Sequence, residues 1–438
     1  MRGMRREYLR EHELRERLPL SPTERDGLIR LLRGAQVTPS PGGEGLYDVR
    51  PGSYVGALAL GDELQVVVRP KFRVAEVMFL ISYAIDPSAW ADPLSQWRDE
   101  LVGLKRDADL YEAIIPSFLR HLNKALARGV LQGYRVEEDA LLTVRGRIRF
   151  DDQIRRRLGI PVPIEVSYDE FTEDIELNRI LRAAVARVAR LPLRRHEHRG
   201  GLRAVDTALE RVSVVEYDRA PRVPPFTRLN EHYRGAVELA CVILDGSTFD
   251  LRPGGVASHS FLIDMNRVFE RFALVALREA LQLDPRVFPA GASGRQLHLD
   301  TRVPPVIDLQ PDISWWEFDG RPSFVGDLKY KRTQVDEVKH PDIYQLLAYT
   351  TAMNLPAGLL IYAAGEADSG THIVRHAGKR LEVRTLDISG RPIDVLERVR
   401  ALADRIRELR LEALLWHKKT LAAHADGAGR TTEAIGAT

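Results

Sequence analysis

Two hydrophobic periods divide the chain, and the places where one gives way to the other mark its expected elements. Residues 46 to 85 carry two apolar strand-like stretches, "YVGALAL" and "ELQVVVR", joined at Gly61-Asp62, a pair favoured in two-residue hairpin loops. Pro70 ends the second strand, and Val74, Val77, Met78 and Ile81 then recur at helical spacing. The pattern is helical again from Ala108 to Gly129, with a kink expected at Pro116. Short strands follow near 133–138 and 141–150. In the second of these, Arg145, Arg147 and Arg149 fall at period two and should share one face. The helix "DIELNRILRAAVARVARL" comes next, then a loop rich in His, Arg and Gly at 195–201. Helical spacing returns near 203–214 and 230–244. "STFDLRPGGVAS" reads as a turn-rich link between domains, and "DMNRVFERFALVALREAL" as an amphipathic helix. Strand patterning then resumes in "PDISWWEFDGRPSFVGDLKYK", residues 311–331. Beyond about residue 420 the chain is small, polar and aperiodic, as a frayed tail is.

At 438 residues the chain is too long for one ordinary core. The pattern divides it into a mixed α and β region at 1–130, a strand and helical middle at 131–250, a third domain at 251–420 and a flexible tail at 421–438. The third domain is expected to be α/β, a mixed central sheet flanked by helices. An apolar share of 44% with 29% charged residues is that of a globular chain. No apolar run is long enough to cross a bilayer, and the charged start lacks the apolar centre of a secretory signal, so a cytoplasmic protein without a membrane partner is expected. The single cysteine, Cys241, excludes an intrachain disulfide, a cysteine zinc site and an iron–sulfur cluster held by this chain alone. A net charge of +2 leaves nucleic-acid binding to local clusters such as "TVRGRIRF" and "QIRRRLG". The G-x-x-x-x-G-K-[ST] phosphate loop is missing, so nucleotide hydrolysis by this chain is not expected.

The stretch 311–331 places bare carboxylates among Ile, Trp, Phe and Val. Asp319-Gly320 suits a two-residue type I′ turn. With those two residues as the loop, Phe318 faces Arg321, and Asp312 falls directly opposite Asp327 with Cβ atoms roughly 5 Å apart. Lys329, two residues further on, shares their face. Like charges held opposite each other destabilise a hairpin, and a shared divalent cation removes that penalty. Magnesium, or manganese in its place, suits carboxylate oxygens and leaves room for a phosphate. A lysine beside such a pair can orient a water and balance charge building on phosphorus. A solvated strand face also carries D-x-K. Two neighbours bear on the choice. Gln345 and Tyr349 lie four apart on a helix, hence on one face, and Tyr349 can also be read as a packing residue. Glu270 sits among apolar positions in "NRVFERF", either as a third carboxylate or as an exposed glutamate.

The order of helix-borne acid, "PD", "DLK" and "QLLAY" resembles the PD-(D/E)xK nuclease superfamily, and the Gln-x-x-x-Tyr extension its RecB-like branch. More narrowly, the blocks "YVGALALGDELQVVVRPKF", "MFLISYA", "RGRIRFDDQI", "YDEFTEDIELNRIL", "MNRVFERF" and "PDIS…GDLKYKR…DIYQLLAY" are similar, in that order, to McrC, the nuclease subunit of modification-dependent McrBC restriction systems. The resemblance implies Asp312 and Asp327 as metal ligands, the Leu328 carbonyl as a third, Lys329 as the catalytic lysine, Glu270 as the helix-borne acid, and Gln345 and Tyr349 as auxiliary residues. It further implies a magnesium-dependent endonuclease that docks onto a hexameric McrB-like AAA+ GTPase, stimulates its hydrolysis and cuts modified DNA. The competing expectations are a non-catalytic regulator of an AAA+ ring and a stand-alone RecB-like exonuclease.

Overall fold

The structure is a computed structural model that describes residues 4–61, 63–91, 109–158, 160–191, 196–217, 221–250, 258–291, 297–299, 307–330, 340–363 and 370–435. The chain divides into two compact units, Met1–Arg69 with Asp107–Ile263 and Pro70–Arg106 with Asp264–Thr438. Its amino-terminal strands are β1 (Arg5–Arg10), β2 (Arg15–Pro19), β3 (Gln36–Pro39), β4 (Leu46–Arg50), β5 (Tyr54–Leu60) and β6 (Leu64–Arg69), with helix α1 (Pro22–Leu31) after β2. Helix α1 starts at a capping box: Ser21 Oγ accepts from the Glu24 N–H, and the Glu24 carboxylate accepts from the Ser21 N–H. The chain next forms α2 (Val74–Ile85) and α3 (Ser88–Ala91), which belong to the second unit. It returns to the first with α4 (Leu110–Leu126), β7 (Gly133–Leu141), β8 (Arg147–Ile148), α5 (Phe150–Arg157), β9 (Ile164–Thr172), α6 (Glu176–Ala189), α7 (His196–Ala208), α8 (Arg234–Gly246), β10 (Ser247–Asp250) and β11 (Ser258–Asp264).

In the first unit β1, β6, β5, β11 and β10 form one sheet in that order, with β1 and β6 parallel. Strands β5 and β6 are buried on both faces, which is why they read as near-continuous apolar runs. Only glycine fits at position 56, where an added Cβ would lie 2.1 Å from the Phe261 carbonyl oxygen. The β5–β6 turn differs from expectation: Leu60 pairs with Leu64, so three positions rather than two separate the paired ends. Gly61 takes φ +63 there, and Asp62 lies outside the described residues.

Three further expectations are corrected in this unit. The second strand near 141–150 shrinks to the two residues of β8, because Gly146 turns the backbone at φ +72. The three arginines therefore do not share a face. Arg145 lies over the Tyr168 ring, Arg147 is in β8, and Arg149 pairs with Glu138 and Asp152 at the start of α5. The expected loop at 195–201 is, from 196 on, the first turns of α7, since Leu202 and Val205 find buried positions that outweigh the helix cost of Gly200 and Gly201. Within "STFDLRPGGVAS", residues 247–250 pair antiparallel with β11, and 251–257 lie outside the described residues.

The second unit adds α9 (Met265–Leu281), β12 (Leu297–His298), β13 (Asp308–Leu309), β14 (Ile313–Trp316), β15 (Pro322–Lys329), α10 (His340–Ala352), β16 (Ala357–Ala363), β17 (Gly370–Ile373), β18 (Arg380–Leu386) and α11 (Pro392–Ile435). Its sheet has the order β14-β15-β16-β18-β17, with β15, β16 and β18 parallel and the two outer strands antiparallel. This is the α/β arrangement expected: a mixed central sheet flanked by helices. Leu346 of α10 packs on Leu360, Tyr362, Leu381 and Val383 of β16 and β18. Phe79 of α2 meets Phe272 of α9 edge to face, with ring centroids 5.5 Å apart. Helix α11 buries Val395, Val399, Leu402, Ile406, Leu409 and Ala413 at steps of three and four. Its backbone stays helical past residue 420, where the loss of apolar period suggests a tail. Ala422, Ala423, Ala425 and Ala428 are strong helix formers in that stretch.

Candidate active site

The site begins with the hairpin of β14 and β15. Its loop is tighter than a simple strand end but longer than the two-residue turn expected. Glu317 N–H donates to the Arg321 carbonyl at 2.8 Å and Gly320 N–H to the Glu317 carbonyl at 2.9 Å, so three residues, 318–320, make the turn. Gly320 supplies the positive φ of +84 that such a loop needs. Below the loop Trp316 pairs with Pro322 and Trp315 with Phe324, so Ser323 is an extra residue, a β-bulge. The bulge shifts the register back by one residue. Ser314 then pairs with Val325 and Ile313 with Gly326, which puts Asp312, the next residue, level with Asp327.

Gly326 is required immediately before that acid. A Cβ there would lie 2.9 Å from the Leu359 carbonyl oxygen and 3.0 Å from the Ile313 side chain. Asp327 is 1% exposed on a strand buried on both faces, while Asp312 is half-buried and its Oδ2 accepts the Leu328 N–H at 2.7 Å. In extended backbone the N–H and C=O of one residue point to the same side, so the Leu328 carbonyl also faces the Asp312 edge. Lys329 Nζ stands 2.6 Å from Asp327 Oδ2. Glu270 of α9 is half-buried, close enough for its charge to act on Asp312 and to feel Lys329 and Asp327.

Burial sets the electrostatics. Loss of water, then the neighbouring Asp312 charge, pushes Asp327 from its ordinary 3.8 up to about 7 despite Lys329. Asp312 is raised too, chiefly by burial, against the opposing Leu328 N–H. Glu270 rises to about 7 through burial and the Asp264 charge. Burial works to lower the Lys329 ammonium, but Asp327 and Asp312 outweigh it and the net shift is upward. Among the described residues Lys329 is thus shared by three acids that resist ionising together, with Arg267 acting on Glu270 alone.

Gln345 and Tyr349 lie on one face of α10, as their spacing requires. Gln345 Nε2 donates to the Tyr349 hydroxyl at 2.7 Å, and that hydroxyl donates to the Gln310 carbonyl at 3.0 Å. Tyr349 is also a core residue, packed with Leu309, Val325, Met353 and Leu355. It therefore ties α10 to the segment leading into Asp312. Asp342, a buried acid in the first turn of α10, escapes the sequence reading. It accepts from the Tyr362 hydroxyl at 2.8 Å, and its charge helps raise Lys329. The available signal was its place three residues before Gln345, but an acid there also reads as an ordinary partner of the helix dipole.

The donor set fits a hard divalent cation. Asp327 Oδ2 is held by the Lys329 ammonium, while its buried Oδ1 has no hydrogen-bond partner, an arrangement costly to leave unfilled. Among the described residues no group of three or more His, Cys, Asp and Glu is arranged to hold a metal. The ligands would be two carboxylates, Asp312 and Asp327, with the Leu328 carbonyl and water completing the shell, the mixed set that magnesium tolerates.

A family model described as "McrBC 5-methylcytosine restriction system component" matches residues 49–363, most of the chain. The chain belongs to the McrBC family. The fold of this McrBC-family chain is similar to a chain of the refined half-complex from the tetradecameric assembly of Thermococcus gammatolerans McrB AAA+ hexamers with bound McrC. The match has a TM-score of 0.50 and 19% identity, and covers 92% of this chain and 100% of the other. A second match, to the cryo-EM structure of the Thermococcus gammatolerans McrBC complex, has a TM-score of 0.37 and 23% identity over 63% of this chain and 88% of that one. No curated protein matches the chain.

Proposed function

We propose that this chain is the metal-dependent nuclease subunit of a McrBC-type restriction system, hydrolysing phosphodiester bonds in modified DNA. The observation that carries the reading is the meeting of Asp312, Asp327 and Lys329 at one edge of a buried hairpin of PD-(D/E)xK pattern. Asp312, Asp327 and the Leu328 carbonyl would hold magnesium, or manganese in its place. When bound, such an ion activates water and neutralises charge on phosphate oxygens. Lys329, kept charged by its acidic neighbours, orients the attacking water and balances charge on the phosphorus. Glu270, with a pKa of about 7, holds or releases a proton at neutral pH beside them. Gln345 and Tyr349 fix the segment that presents Asp312.

The partner in this reading is a hexameric AAA+ GTPase of the McrB type, whose hydrolysis the chain stimulates. Family membership supports it, as does the likeness to a chain from McrB hexamers with bound McrC. No helix among the described residues is long and apolar enough to cross a membrane. The test is cleavage of 5-methylcytosine-containing plasmid by the full chain with its AAA+ partner. Lys329→Ala should slow cleavage by about 10²–10³-fold and leave stimulation of GTP hydrolysis intact. Near-normal cleavage by that variant would remove this site from consideration, and wild-type stimulation without any cleavage would favour the regulator instead.

A further inference from the structure

The hairpin loop and the catalytic end of the same hairpin are out of step by one residue. Continued inward from the Glu317–Arg321 hydrogen bond without interruption, the ladder would pair Trp315 with Ser323, Ile313 with Val325 and Asp312 with Gly326. Asp327 would then lie opposite Pro311, on the face away from Asp312, because a one-residue slip reverses every side chain. The bulge at Ser323 corrects the step. A bulge leaves one residue out of the ladder, so the uninterrupted register is its natural competitor unless something holds the extra residue in place.

That something is visible. Ser323, 1% exposed, donates its hydroxyl to Glu317 Oε1 at 2.7 Å. The Glu317 carboxylate also accepts both arms of the Arg410 guanidinium from α11, Nε at 2.7 Å and a terminal nitrogen at 2.8 Å. The same guanidinium lies over the Trp315 ring, 4.7 Å from its centroid, against the strand opposite the bulge. In the slipped register Ser323 would be an ordinary ladder residue opposite Trp315; at the bulge its hydroxyl lies between Glu317 and, 3.4 Å away, the Trp315 carbonyl.

We propose that Glu317, Ser323 and Arg410 form a clamp that fixes the register of the β14–β15 hairpin and so sets Asp312 opposite Asp327. They are positioning residues: none touches the acids, and they act through the strands between. The functional consequence rests on the nuclease reading; the register does not.

Hydrogen exchange at the Leu328 amide reports the register directly, since that N–H donates to Asp312. It is followed in the full-length chain without metal, partner or DNA. Glu317→Ala and Arg410→Ala should each speed Leu328 exchange by roughly tenfold or more while amides of β16 and β18 keep their protection. Arg410→Lys should not restore it, because an ammonium cannot grip both carboxylate oxygens in a fork. Deleting Ser323 removes the extra residue and leaves the catalytic register regular. In that background Glu317→Ala should no longer affect Leu328. Wild-type protection of Leu328 in both alanine variants would overturn the clamp, as would an undiminished effect of Glu317→Ala after the deletion. A chain that shows the expected exchange yet cuts no DNA would sink the nuclease reading and leave the clamp standing.

Discussion

Two buried acids on the same sheet make an instructive pair. Glu382 on β18 is 2% exposed and Asp327 on β15 is 1% exposed, so both have lost nearly all contact with water. Burial works to raise the pKa of each. Around Glu382 the fold answers with arginine: Arg405 donates at 2.6 and 2.9 Å, Arg380 at 2.8 Å, and the acid ends below its ordinary 4.5. Around Asp327 it supplies, among the described residues, one lysine, shared with Asp312 and Glu270, and the acid ends near 7. A sheet that can neutralise a buried carboxylate with two guanidinium groups leaves another under-neutralised. On the nuclease reading, the difference is that between an acid kept for structure and one kept for a ligand.

The comparison breaks most visibly at Asp327. Asp327→Asn should abolish cleavage, by about 10³-fold or more, and chelation with EDTA should do the same to the wild type. The melting temperature of the metal-free variant should stay level or rise, since a crowded charge is gone. A clear loss of stability would show Asp327 to be a structural acid after all. Glu382→Ala should have the opposite profile. It takes one acid out of a network in which Arg380 keeps Glu412 and Arg405 keeps Glu408 and Glu412, and should cost about 1–2 kcal/mol of folding stability by denaturant titration, with cleavage per folded molecule unchanged.

The pH dependence sharpens the contrast through its sign. Between about pH 4 and 7 the folded chain holds protons on Asp327 and Glu270 that the unfolded chain has released. Their contribution to metal-free stability is therefore full below about 4 and lost as the pH climbs through 7. Glu382, lowered in the fold, contributes above 4.5 and loses that contribution as the pH falls. Denaturation midpoints across this range should show the decline toward pH 7 flattened in Asp327→Asn and kept in Glu382→Ala. The smallest effect belongs to Tyr349→Phe, which removes one hydroxyl between Gln345 and Gln310. About 1 kcal/mol of stability and a several-fold drop in cleavage rate are expected, and a drop comparable to Lys329→Ala would move Tyr349 into the chemistry itself.

Much of this is legible in the sequence alone. Alternation and helical spacing located α2, α6, α9 and the β14–β15 pair, since each buries one stripe or both faces in the core of its own unit. The juxtaposition of Asp312 and Asp327 also followed from the sequence, but by a route the structure replaces. A two-residue turn and a regular ladder give the same pairing as a three-residue turn with a bulge, because the two one-residue shifts cancel. What stayed hidden depended on distant chain. Glu317 looks like a loop acid until Arg410, 93 residues away, is folded against it. Asp342 looks like a helix cap until Tyr362 arrives beside it. The arginines at 145–149 showed the converse error: period two was present, but one glycine in a left-handed turn broke the strand that gives period two its meaning.

Helix α2 has a consequence for how the molecule is made. It buries eleven of its twelve residues, from Val74 to Ile85, in the second unit, yet the ribosome delivers it inside the first. Its partner α9 starts roughly 180 residues later, about 10 to 40 seconds at ordinary elongation speeds. For that interval a greasy segment waits without its mate, so synthesis of this protein should depend on chaperones. Cutting the chain in the middle would orphan α2 and leave its sticky surface bare in the amino-terminal piece.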